Sequence, residues 1–294
     1  MAAEHQKTAV VTGCSSGIGY CLAEELAKRG WKVFACARRA ETMQSLAEEY
    51  PEKIVPFSMD ISLLDSIEKG YEFVSSRLAD GKLDLLYNNA GSSCTFPAID
   101  VPDEALTQCT AVDFEGPVRV TSKFSRLVIN AQGTIAFTGS LAGVMIFPWG
   151  SVYGAMKAAV HQYASVLALE MEPFNVKVVN FVTGGVNTDI ADKRPLPETS
   201  IYNFEATKKS FADRQAMAVK NSPMDPALYA KRAVNAVENS RVGVVNVALG
   251  TGAGILSFVA AYFPRWLILF VIRIKFGLNA VWSVIRNGEY KKTK

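Results

Sequence analysis

Three side chains in the middle of the chain have the types and spacing of a carbonyl-reducing site. Tyr153 and Lys157 are four residues apart, so on a helix their side chains share one face and can meet the same ligand. A free tyrosine has a pKa of about 10, and a neighbouring ammonium favours the phenolate, which predicts proton transfer by the phenol near neutral pH. Ser140, thirteen residues before Tyr153, is predicted to hold the substrate carbonyl oxygen by a hydrogen bond.

A glycine-rich segment near the start of the chain has the pattern of a dinucleotide-binding turn. The run 12–19 follows an apolar stretch that predicts a strand at 8–11 and precedes a helical pattern at 17–29. Glycines at such a turn let the backbone approach a pyrophosphate, whose charge the amide groups at the helix N-terminus stabilise. The dinucleotide-binding residues predicted here are Gly13, Ser15, Ser16, Gly17, Ile18 and Gly19. A bare Tyr-x-x-x-Lys match is also typical of an exposed helix pair, and this turn favours the catalytic interpretation.

Beyond the turn, apolar runs alternate with helical patterns along most of the chain. The predicted strands are 32–37, 54–59, 83–88, 133–138, 176–182 and 242–249, and the predicted helices include 62–78 and 153–172. Such alternation predicts an α/β fold, a Rossmann-type doubly wound parallel sheet with helices on both faces. We expect one domain over residues 1–250, followed by an apolar extension over residues 251–294. Ligands of such sheets bind beyond the carboxyl ends of the strands, which is where Ser140 falls.

Four motifs follow one another in a fixed order. They are the glycine-rich turn, Asn88-Asn89-Ala90-Gly91, Ser140 and the Tyr153/Lys157 pair. With this order the chain resembles the short-chain dehydrogenase/reductase superfamily over residues 7–250. The resemblance implies an oxidoreductase that exchanges a hydride between a nicotinamide dinucleotide and a carbonyl group. It also implies cofactor-binding roles for Asp60, Ile61, Asn89, Ala90, Gly91, Tyr153, Lys157, Val186 and Thr188.

Three longer segments resemble one subgroup of that superfamily. Residues 85–91, 137–143 and 191–204 are similar to the fungal reductases that act on 1-acyldihydroxyacetone phosphate with NADPH. This resemblance implies reduction of that lipophilic ketone to 1-acylglycerol 3-phosphate. Reduction of another hydrophobic ketone, such as a steroid or a 3-ketoacyl compound, is the alternative within the same chemistry. The family resemblance also implies a homo-oligomer that pairs through the helices around 103–128 and 153–172.

The end of the second predicted strand indicates which dinucleotide is used. Where an NAD enzyme places an acidic side chain for the ribose 2′-hydroxyl, this chain has Arg38 and Arg39. A guanidinium can bind a 2′-phosphate bidentately, and no carboxylate is present at this point of the sequence to repel it. We therefore predict NADPH/NADP+ as the cofactor. The alternative is a solvated arginine pair at the start of a helix.

One catalytic position departs from the family pattern. The family has an asparagine in a Val-Asn-x-x-Gly segment, whereas residues 112–116 of this chain place Asp113 there. A carboxylate brings an acceptor-only group, and a negative charge, close to Lys157. We expect an active enzyme because Ser140, Tyr153 and Lys157 are all present, with a proton transfer that Asp113 slows or makes differently dependent on pH. A protein that binds the cofactor with little turnover is the alternative.

The glycine-rich turn also fits a second class of enzyme. Gly13-Cys14-Ser15-Ser16-Gly17 matches the G-x-S-x-G nucleophile elbow of α/β-hydrolases and lies on a predicted strand-to-helix turn. A serine nucleophile needs a base, and the histidines of the chain are His5, ahead of the first strand, and His161. The hydrolase fold places its histidine after the acid, late in the chain. A lipid ester hydrolase using Ser15 therefore stays as the alternative, with His161 interpreted as a packed or partly exposed helix residue.

Composition excludes several other classes of protein. The five cysteines, Cys14, Cys21, Cys36, Cys94 and Cys109, show no zinc spacing and no disulfide framework, so we predict no metal site. A net charge of +3, dispersed along 294 residues, is too small to indicate nucleic acid binding. Residues 1–15 lack the order of a secretory signal, which predicts a catalytic domain on the cytosolic side.

Two segments after the catalytic serine bear on the substrate. Residues 144–149 are apolar, as expected of a loop that lines a pocket for a greasy substrate, although such residues also pack in interiors. The segment after Thr188 carries basic side chains that we expect to bind a phosphate head group: Lys193, Arg194, Lys208, Lys209 and Arg214. The alternative for this charge run is a solvated face.

The C-terminal residues point to a membrane. Apolar runs at 255–263 and 266–272 flank Pro264-Arg265 and precede a basic tail. Each run is shorter than the about 20 residues that a single span requires, so we expect a hairpin or an in-plane anchor at the endoplasmic reticulum membrane and lipid droplet surface. A helix that covers the enzyme's own pocket, or a dimer contact, is the alternative. The last residues, 291–294, resemble a dilysine retrieval signal.

Overall fold

A parallel sheet of seven strands forms the centre of the molecule. The computed structural model describes residues 6–243 and 245–290, except for the side chains of Ala218 and Val219. The strands are β1 (Thr8–Thr12), β2 (Lys32–Ala37), β3 (Ile54–Ser58), β4 (Leu85–Asn88), β5 (Thr134–Thr138), β6 (Lys177–Thr183) and β7 (Asn246–Leu249). Their order across the sheet is β3-β2-β1-β4-β5-β6-β7, and each neighbouring pair is parallel. The predicted doubly wound Rossmann-type fold is confirmed.

The central strands are set by nearly continuous apolar sequence. β1 and β4 are buried along their whole length, as expected for parallel strands covered by helices on both faces. The last strand is shorter than the predicted 242–249, because Gly243 has a left-handed φ of 88° and belongs to a turn. The chain therefore enters β7 only at Asn246.

Helices cover both faces of this sheet. They are α1 (Gly17–Lys28), α2 (Gln44–Glu49), α3 (Leu64–Ser75), α4 (Asp103–Thr110), α5 (Gly116–Ala131), α6 (Ser151–Met171), α7 (Glu205–Gln215), α8 (Met217–Lys220), α9 (Pro226–Glu238), α10 (Ala253–Tyr262), α11 (Arg265–Lys275) and α12 (Leu278–Arg286). Short 3₁₀ helices occur at Ala40–Met43, Leu141–Gly143 and Glu172–Phe174, and a π-helical turn at Ala111–Glu115 joins α4 to α5. Helices α1 and α9 bury one face of the sheet, and α3, α5 and α6 bury the other.

The last three helices, α10 to α12, pack against the loop that follows the predicted catalytic serine. Ile268 and Ile272 on α11, together with Phe276, form one hydrophobic cluster with Leu141 and Met145. Within residues 6–243 and 245–290, no single helix is long and apolar enough to cross a membrane. Helices α11 and α12 together have the length and composition of a span, but they are bent by 86°.

Candidate active site

A cavity of about 280 Å³ opens at the carboxyl ends of β1, β2, β4 and β5. Its walls come from the glycine-rich turn after β1 and from the segments that follow β2, β3, β4, β5 and β6. The lining residues are Gly13, Ser15, Ser16, Gly17, Ile18, Gly19, Cys36, Ala37, Arg38, Met59, Asp60, Ile61, Asn89, Ala90, Gly91, Ser92, Gln108, Val112, Thr138, Thr188, Asp189 and Ile190. Most predicted cofactor-binding residues thus meet at one cavity, and Gln108, Val112, Asp189 and Ile190 join them without having been predicted.

The glycine-rich turn has no space for side chains. Gly13 has a φ of 74°, and a Cβ at this position would lie 2.8 Å from the Cα of Ala90. A Cβ at Gly19 would collide with the carbonyl oxygen of Gly13. Ser16, the N-cap of α1, makes no side-chain capping bond within the described chain, so the first amide groups of α1 stay available to an anion. These features fit the pyrophosphate of a dinucleotide cofactor.

Asn89 fixes the floor of the cavity by linking three strand ends. Its Nδ2 donates to the carbonyl oxygen of Thr12 at 2.9 Å, and its Oδ1 accepts from Thr138 Oγ1 at 3.1 Å. The backbone amides of Asn89 and Ala90 both donate to Thr12 Oγ1 at 3.0 Å. The side chain of Asn89 is therefore used by the protein itself, and it holds β1, β4 and β5 in register beneath the cofactor site.

The other predicted cofactor contacts divide into two groups. Arg38 and Thr188 line the cavity, and the side chain of Arg38 is exposed. Arg39 is not part of the lining, and its carbonyl oxygen accepts a hydrogen bond from Thr42 Oγ1 at 2.7 Å. Val186 is only 5% exposed and belongs to the hydrophobic core. The structure therefore places Arg38 and Thr188 on the cavity wall, whereas Arg39, Val186, Tyr153 and Lys157 are not among its lining residues.

Tight packing brings Ser140 to the face of α6 that carries Tyr153 and Lys157. Ser140 precedes a 3₁₀ turn, and its Oγ accepts a hydrogen bond from the backbone amide of Ala142 at 3.1 Å. Gly154 on α6 faces this turn, where a Cβ would lie only 3.0 Å from the carbonyl oxygen of Ala142. The glycine between the catalytic candidates thus allows the serine loop to approach α6 closely.

His161 holds Ser140 in place, although sequence reasoning gave it only a packing role. Its Nε2 accepts a hydrogen bond from the backbone amide of Ser140 at 3.1 Å, and the residue is 8% exposed. Burial lowers the pKa of His161 to about 4, and the ammonium of Lys157 acts in the same direction. The imidazole is therefore a neutral acceptor at neutral pH. The signal was the spacing, because Tyr153, Lys157 and His161 are each four residues apart and share a helix face.

Lys157 is a buried cation with two protein partners. It is 4% exposed, and its Nζ lies 3.1 Å from Asp113 Oδ1 and 3.3 Å from the carbonyl oxygen of Thr138. The same Nζ lies 5.6 Å from the centre of the Tyr153 ring. Burial acts to lower the pKa of Lys157, but the carboxylate of Asp113 and the phenol of Tyr153 outweigh it, so the pKa is raised. Lys157 is accordingly an ammonium at neutral pH.

Asp113 lies in the π-helical turn and is fully buried. Its Oδ2 accepts from Ser92 Oγ at 2.8 Å, both of its carboxylate oxygens lie 3.2 Å from the Ser92 amide, and Cys109 Sγ donates to it at 3.6 Å. The expected acceptor beside Lys157 is thus present, in the form of an ion pair. As a consequence, the charge of Lys157 is shared with Asp113 and does not act on Tyr153 alone.

Gly91 is the point where the cavity meets these charged groups. It lines the cavity, and a Cβ at this position would lie 3.0 Å from Asp113 Oδ1 and 3.4 Å from Lys157 Nζ. Because residue 91 has no side chain, the ammonium of Lys157 lies directly behind this part of the cavity wall. Lys157 is thus close both to the cofactor cavity and to the ring of Tyr153.

The hydrolase alternative finds no support in the described residues. Ser15 is exposed and lines the cavity. His161, the histidine within residues 6–243 and 245–290, is engaged with the amide of Ser140. His5 lies outside the described residues. The catalytic base that Ser15 requires is thus not provided by His161.

The basic side chains between Lys193 and Arg214 behave differently from one another. Arg194 forms a bidentate pair with Asp192, and Lys208 pairs with Glu205 on the surface of α7. The solvent-exposed lysines of this group are Lys193, Lys208 and Lys209. Arg214 instead turns inward, toward Phe147 of the loop that follows Ser140. Four of these five side chains thus face water or a carboxylate, and phosphate binding by the segment stays a prediction.

Comparison with known proteins adds independent findings. A family profile described as short chain dehydrogenase matches residues 7–198. The chain is 50% identical over 288 residues to the NADPH-dependent 1-acyldihydroxyacetone phosphate reductase of Saccharomyces cerevisiae, covering 98% of this chain and 97% of the relative. A reductase of the same name from Schizosaccharomyces pombe is 35% identical over 207 residues, covering 68% and 69%. The solved structure of a short-chain dehydrogenase from Streptomyces avermitilis has a TM-score of 0.74 at 25% identity, covering 97% and 99%.

These similarities agree with the cavity at the glycine-rich turn, the 3₁₀ turn after Ser140 and the buried Lys157. The profile covers the four motifs up to and beyond Tyr153, and the Saccharomyces cerevisiae relative spans nearly the whole chain. The predicted family is therefore confirmed, and the chain belongs to the short-chain dehydrogenase/reductase family of oxidoreductases.

Proposed function

We propose that this protein reduces 1-acyldihydroxyacetone phosphate to 1-acylglycerol 3-phosphate with NADPH. The observation that carries the proposal is the position of Lys157, whose ammonium lies 5.6 Å from the centre of the Tyr153 ring and beside Gly91 on the cavity wall. One buried cation thereby links the phenol to the cofactor site. The substrate is the one named for the Saccharomyces cerevisiae relative at 50% identity, and it belongs to the lipophilic ketones predicted from the sequence.

Each side chain of the site has a separate task in this reaction. Tyr153 donates a proton to the carbonyl oxygen, and the ammonium of Lys157 stabilises the phenolate that remains. Ser140 holds the carbonyl oxygen, since its Oγ accepts from the amide of Ala142 and its hydroxyl proton stays free to donate. A reduced nicotinamide dinucleotide supplies the hydride when bound. His161 and Asp113 keep Ser140 and Lys157 in position.

NADPH is favoured over NADH by the wall of the cavity near β2. Arg38 lines the cavity with an exposed guanidinium that can bind a 2′-phosphate, at the place where an NAD enzyme has an acidic side chain. The names of the Saccharomyces cerevisiae and Schizosaccharomyces pombe relatives specify NADPH as well.

Loss of NADPH absorbance on addition of 1-acyldihydroxyacetone phosphate, with identification of the product, tests the proposal. We expect oxidation of NADPH to require both the ketone and Tyr153. Release of fatty acid that Ser15→Ala abolishes and Tyr153→Phe leaves unchanged would support the lipid hydrolase instead. Tight binding of NADPH without oxidation would support the low-turnover alternative based on Asp113. Faster reduction of a steroid or a 3-ketoacyl compound would replace the substrate while keeping the reaction.

The C-terminal helices are proposed to bind the surface of the endoplasmic reticulum membrane and of lipid droplets, with the catalytic domain facing the cytosol. Their outward sides expose large apolar side chains: Ile255, Phe258, Tyr262, Phe263, Trp266, Leu269, Phe270, Val271, Ile274 and Trp282. Basic side chains in the last turns of α11 and α12 suit an anionic lipid surface, and an acylated substrate dissolves in the same phase. The predicted dilysine signal at 291–294 lies outside the described residues.

Flotation with vesicles of phosphatidylcholine and phosphatidylserine tests this surface. The triple variant Phe258→Ser, Trp266→Ser and Val271→Ser changes side chains that are 56%, 69% and 52% exposed, so the fold should be retained while vesicle binding is lost. The control is Ile99→Ser, which removes an equally exposed apolar side chain at 67% from the loop between β4 and α4. Undiminished flotation of the triple variant would contradict the proposal.

Pairing of two copies through α4 and α6 is proposed as the oligomeric state. Leu106 on α4 and Val166 and Leu169 on α6 are 41%, 42% and 72% exposed, so these helices have apolar side chains that a second copy could cover. Light scattering of the purified protein should give the mass of a dimer or larger, and Leu169→Lys should reduce it to that of one chain. A single-chain mass for the unaltered protein would contradict the pairing.

A further inference from the structure

Arg214 lies on the buried side of α7. Thr207, Ser210 and Phe211 are the buried residues of this helix, and Arg214 continues their stripe at the spacing of i, i+3, i+4 and i+7. Trp149 fastens this side of α7 to the loop that follows Ser140, because its Nε1 donates to Ser210 Oγ at 3.0 Å. Arg214 is accordingly half-buried, and its guanidinium lies against the loop that follows Ser140.

The guanidinium has no acidic partner in the described part of the chain. Its Nε atom is fully buried without a hydrogen-bond partner there. Burial lowers the pKa of Arg214 below its ordinary value, which is the cost of a cation placed away from water. A buried donor left unpaired destabilises a fold, so such a group is expected to be retained for a ligand.

The surroundings of Arg214 belong to the substrate side of the site. The guanidinium lies 5.6 Å from the centre of the Phe147 ring, and a Cβ at Gly150 would lie 3.2 Å from one of its terminal nitrogens. Gly150 is the N-cap residue of α6, the helix that carries Tyr153 in its first turn. Arg214 therefore lies beside the loop at 144–150 and the N-terminal end of the catalytic helix.

We propose that Arg214 binds the phosphate group of the substrate and so selects phosphorylated ketones. The inference rests on the proposed function, and it adds the residue that recognises the head group. In 1-acyldihydroxyacetone phosphate the phosphate is carried on the carbon next to the carbonyl carbon, so its binding residue must lie close to Tyr153. A planar guanidinium presents several donors to a phosphate and matches its geometry. The apolar ring of Phe147 beside it suits the start of the acyl chain.

Other basic side chains of the same segment do not meet these requirements. Arg194 is already paired with Asp192, and Lys208 with Glu205. Lys209 is exposed on the opposite side of α7 from the buried stripe. Lys157 is buried, but Asp113 neutralises it at 3.1 Å. Arg214 thus combines burial, an unused donor and proximity to the phenol.

Kinetics with a pair of ketones tests the assignment. The substrates are 1-acyldihydroxyacetone phosphate and its dephosphorylated form, and the variants are Arg214→Gln and Arg214→Lys, with Lys209→Gln as a control on the same helix. We expect Arg214→Gln to raise KM for the phosphorylated ketone by about tenfold or more, since a charged hydrogen bond is lost. KM for the dephosphorylated ketone should change by less than about twofold, and Arg214→Lys should restore part of the preference.

Direct binding provides a readout that does not depend on turnover. Calorimetric titration of the NADP+-loaded enzyme with 1-acylglycerol 3-phosphate should lose affinity in Arg214→Gln and keep it in Lys209→Gln. Without any ligand, Arg214→Gln should unfold at the same temperature as the unaltered protein or at a higher one, because an unpaired buried charge has been removed.

Three outcomes separate this assignment from the proposed function. Equal effects of Arg214→Gln on both ketones, or a lower unfolding temperature with equal loss of both activities, would show a structural role and overturn the assignment. An unaltered protein that reduces both ketones equally well would overturn it too, while leaving the reductase chemistry intact. An unaltered protein that reduces neither ketone would instead refute the proposed function.

Discussion

The active site contains two cations in opposite electrostatic situations, the buried Lys157 and the half-buried Arg214. Lys157 on α6 is paired with a carboxylate of the protein, and its Nζ lies 3.1 Å from Asp113 Oδ1. Arg214 on α7 has a buried Nε without a partner in the described chain. Burial acts against both charged forms, yet the pKa of Lys157 is raised and that of Arg214 is lowered. The difference follows from the presence or absence of one neighbouring carboxylate.

This contrast separates the parts of the site that the protein completes from the part that a ligand completes. The pair of Lys157 and Asp113, with the hydrogen bonds of Ser92 and Thr138, is finished in the folded chain and needs no substrate. An unpaired buried guanidinium destabilises the fold until an anion arrives. Stability is thus given up at the substrate end and not at the cofactor end, as is common for binding sites.

Tyr153 acts on both cations, and its removal is the most severe test of the comparison. Tyr153→Phe should lower the turnover of 1-acyldihydroxyacetone phosphate by about a thousandfold, because no other described side chain is placed to deliver the proton. Binding of NADPH, followed by fluorescence, should stay within about twofold. Tyr163→Phe on the same helix is the matched control, since its ring packs edge-on against Phe137 away from the reacting groups. Full turnover by Tyr153→Phe would show that Tyr153 is not the proton donor and that the active site has been assigned wrongly.

The second test concerns His161, the neutral imidazole that lies one turn after Lys157 on α6. The pKa of His161 is lowered to about 4 in the fold, against about 6.5 for an unfolded chain. Its contribution to stability is complete above pH 6.5 and is lost as the pH falls toward 4, because the unfolded chain takes up the proton first. Between pH 7.5 and 4.5, the free energy of urea unfolding should fall by about 2 to 3 kcal/mol more for the unaltered protein than for His161→Gln. Parallel pH curves for the two proteins would refute this.

Removal of the carboxylate would make the two cations more alike. In Asp113→Asn the pKa of Lys157 should fall, because the group that raises it is gone, and the unpaired ammonium should act more strongly on Tyr153. We expect the pH dependence of turnover to move to lower pH in this variant. Asp103→Asn, in the first turn of α4, is the control. An unchanged profile would mean that Asp113 has no influence on proton transfer.

Arg38 is a third cation of the site, and it differs from the other two because it is exposed to solvent. Arg38 lines the cavity but is exposed, so water and salt screen it more than Arg214. Arg38→Gln should weaken NADPH binding by about tenfold while NADH binding stays unchanged. Arg39→Gln, next in the chain but outside the cavity wall, should have little effect on either cofactor. Fluorescence titration with both dinucleotides measures the four affinities, and equal losses for NADPH and NADH would exclude 2′-phosphate recognition by Arg38.

The sheet and the cofactor end of the site could be predicted from the sequence because both depend on local patterns. Buried parallel strands need apolar runs, and β2 occupies the predicted 32–37. Ligands of a parallel sheet bind beyond the carboxyl ends of its strands, and this rule already predicts Ser140, which follows β5, at that edge. The roles of Gly13 and Gly19 follow from backbone geometry that their residue type already indicates.

The substrate end could not be predicted, because it depends on which way side chains turn. Arg214 was one of five basic residues in the segment, and only the helical stripe of α7 distinguishes it as the inward one. In the C-terminal helices, likewise, the sequence does not show which apolar side chains are buried and which are exposed. Ile268 is buried and Leu269 is 46% exposed, yet both are aliphatic and adjacent, so hydropathy alone does not assign a face. Tertiary contacts decide such cases.

Helix α11 has one side in the enzyme and the other directed outward. Ile268 and Ile272 support the loop at Leu141 and Met145, while Trp266 and Phe270 are exposed on the outer side. Under the proposed membrane binding, this one helix would contact lipid with its outer side and the loop after Ser140 with its inner side. Substitutions of Ile268 or Ile272 should therefore alter the catalytic rate, whereas substitutions of Trp266 or Phe270 should alter binding to lipid.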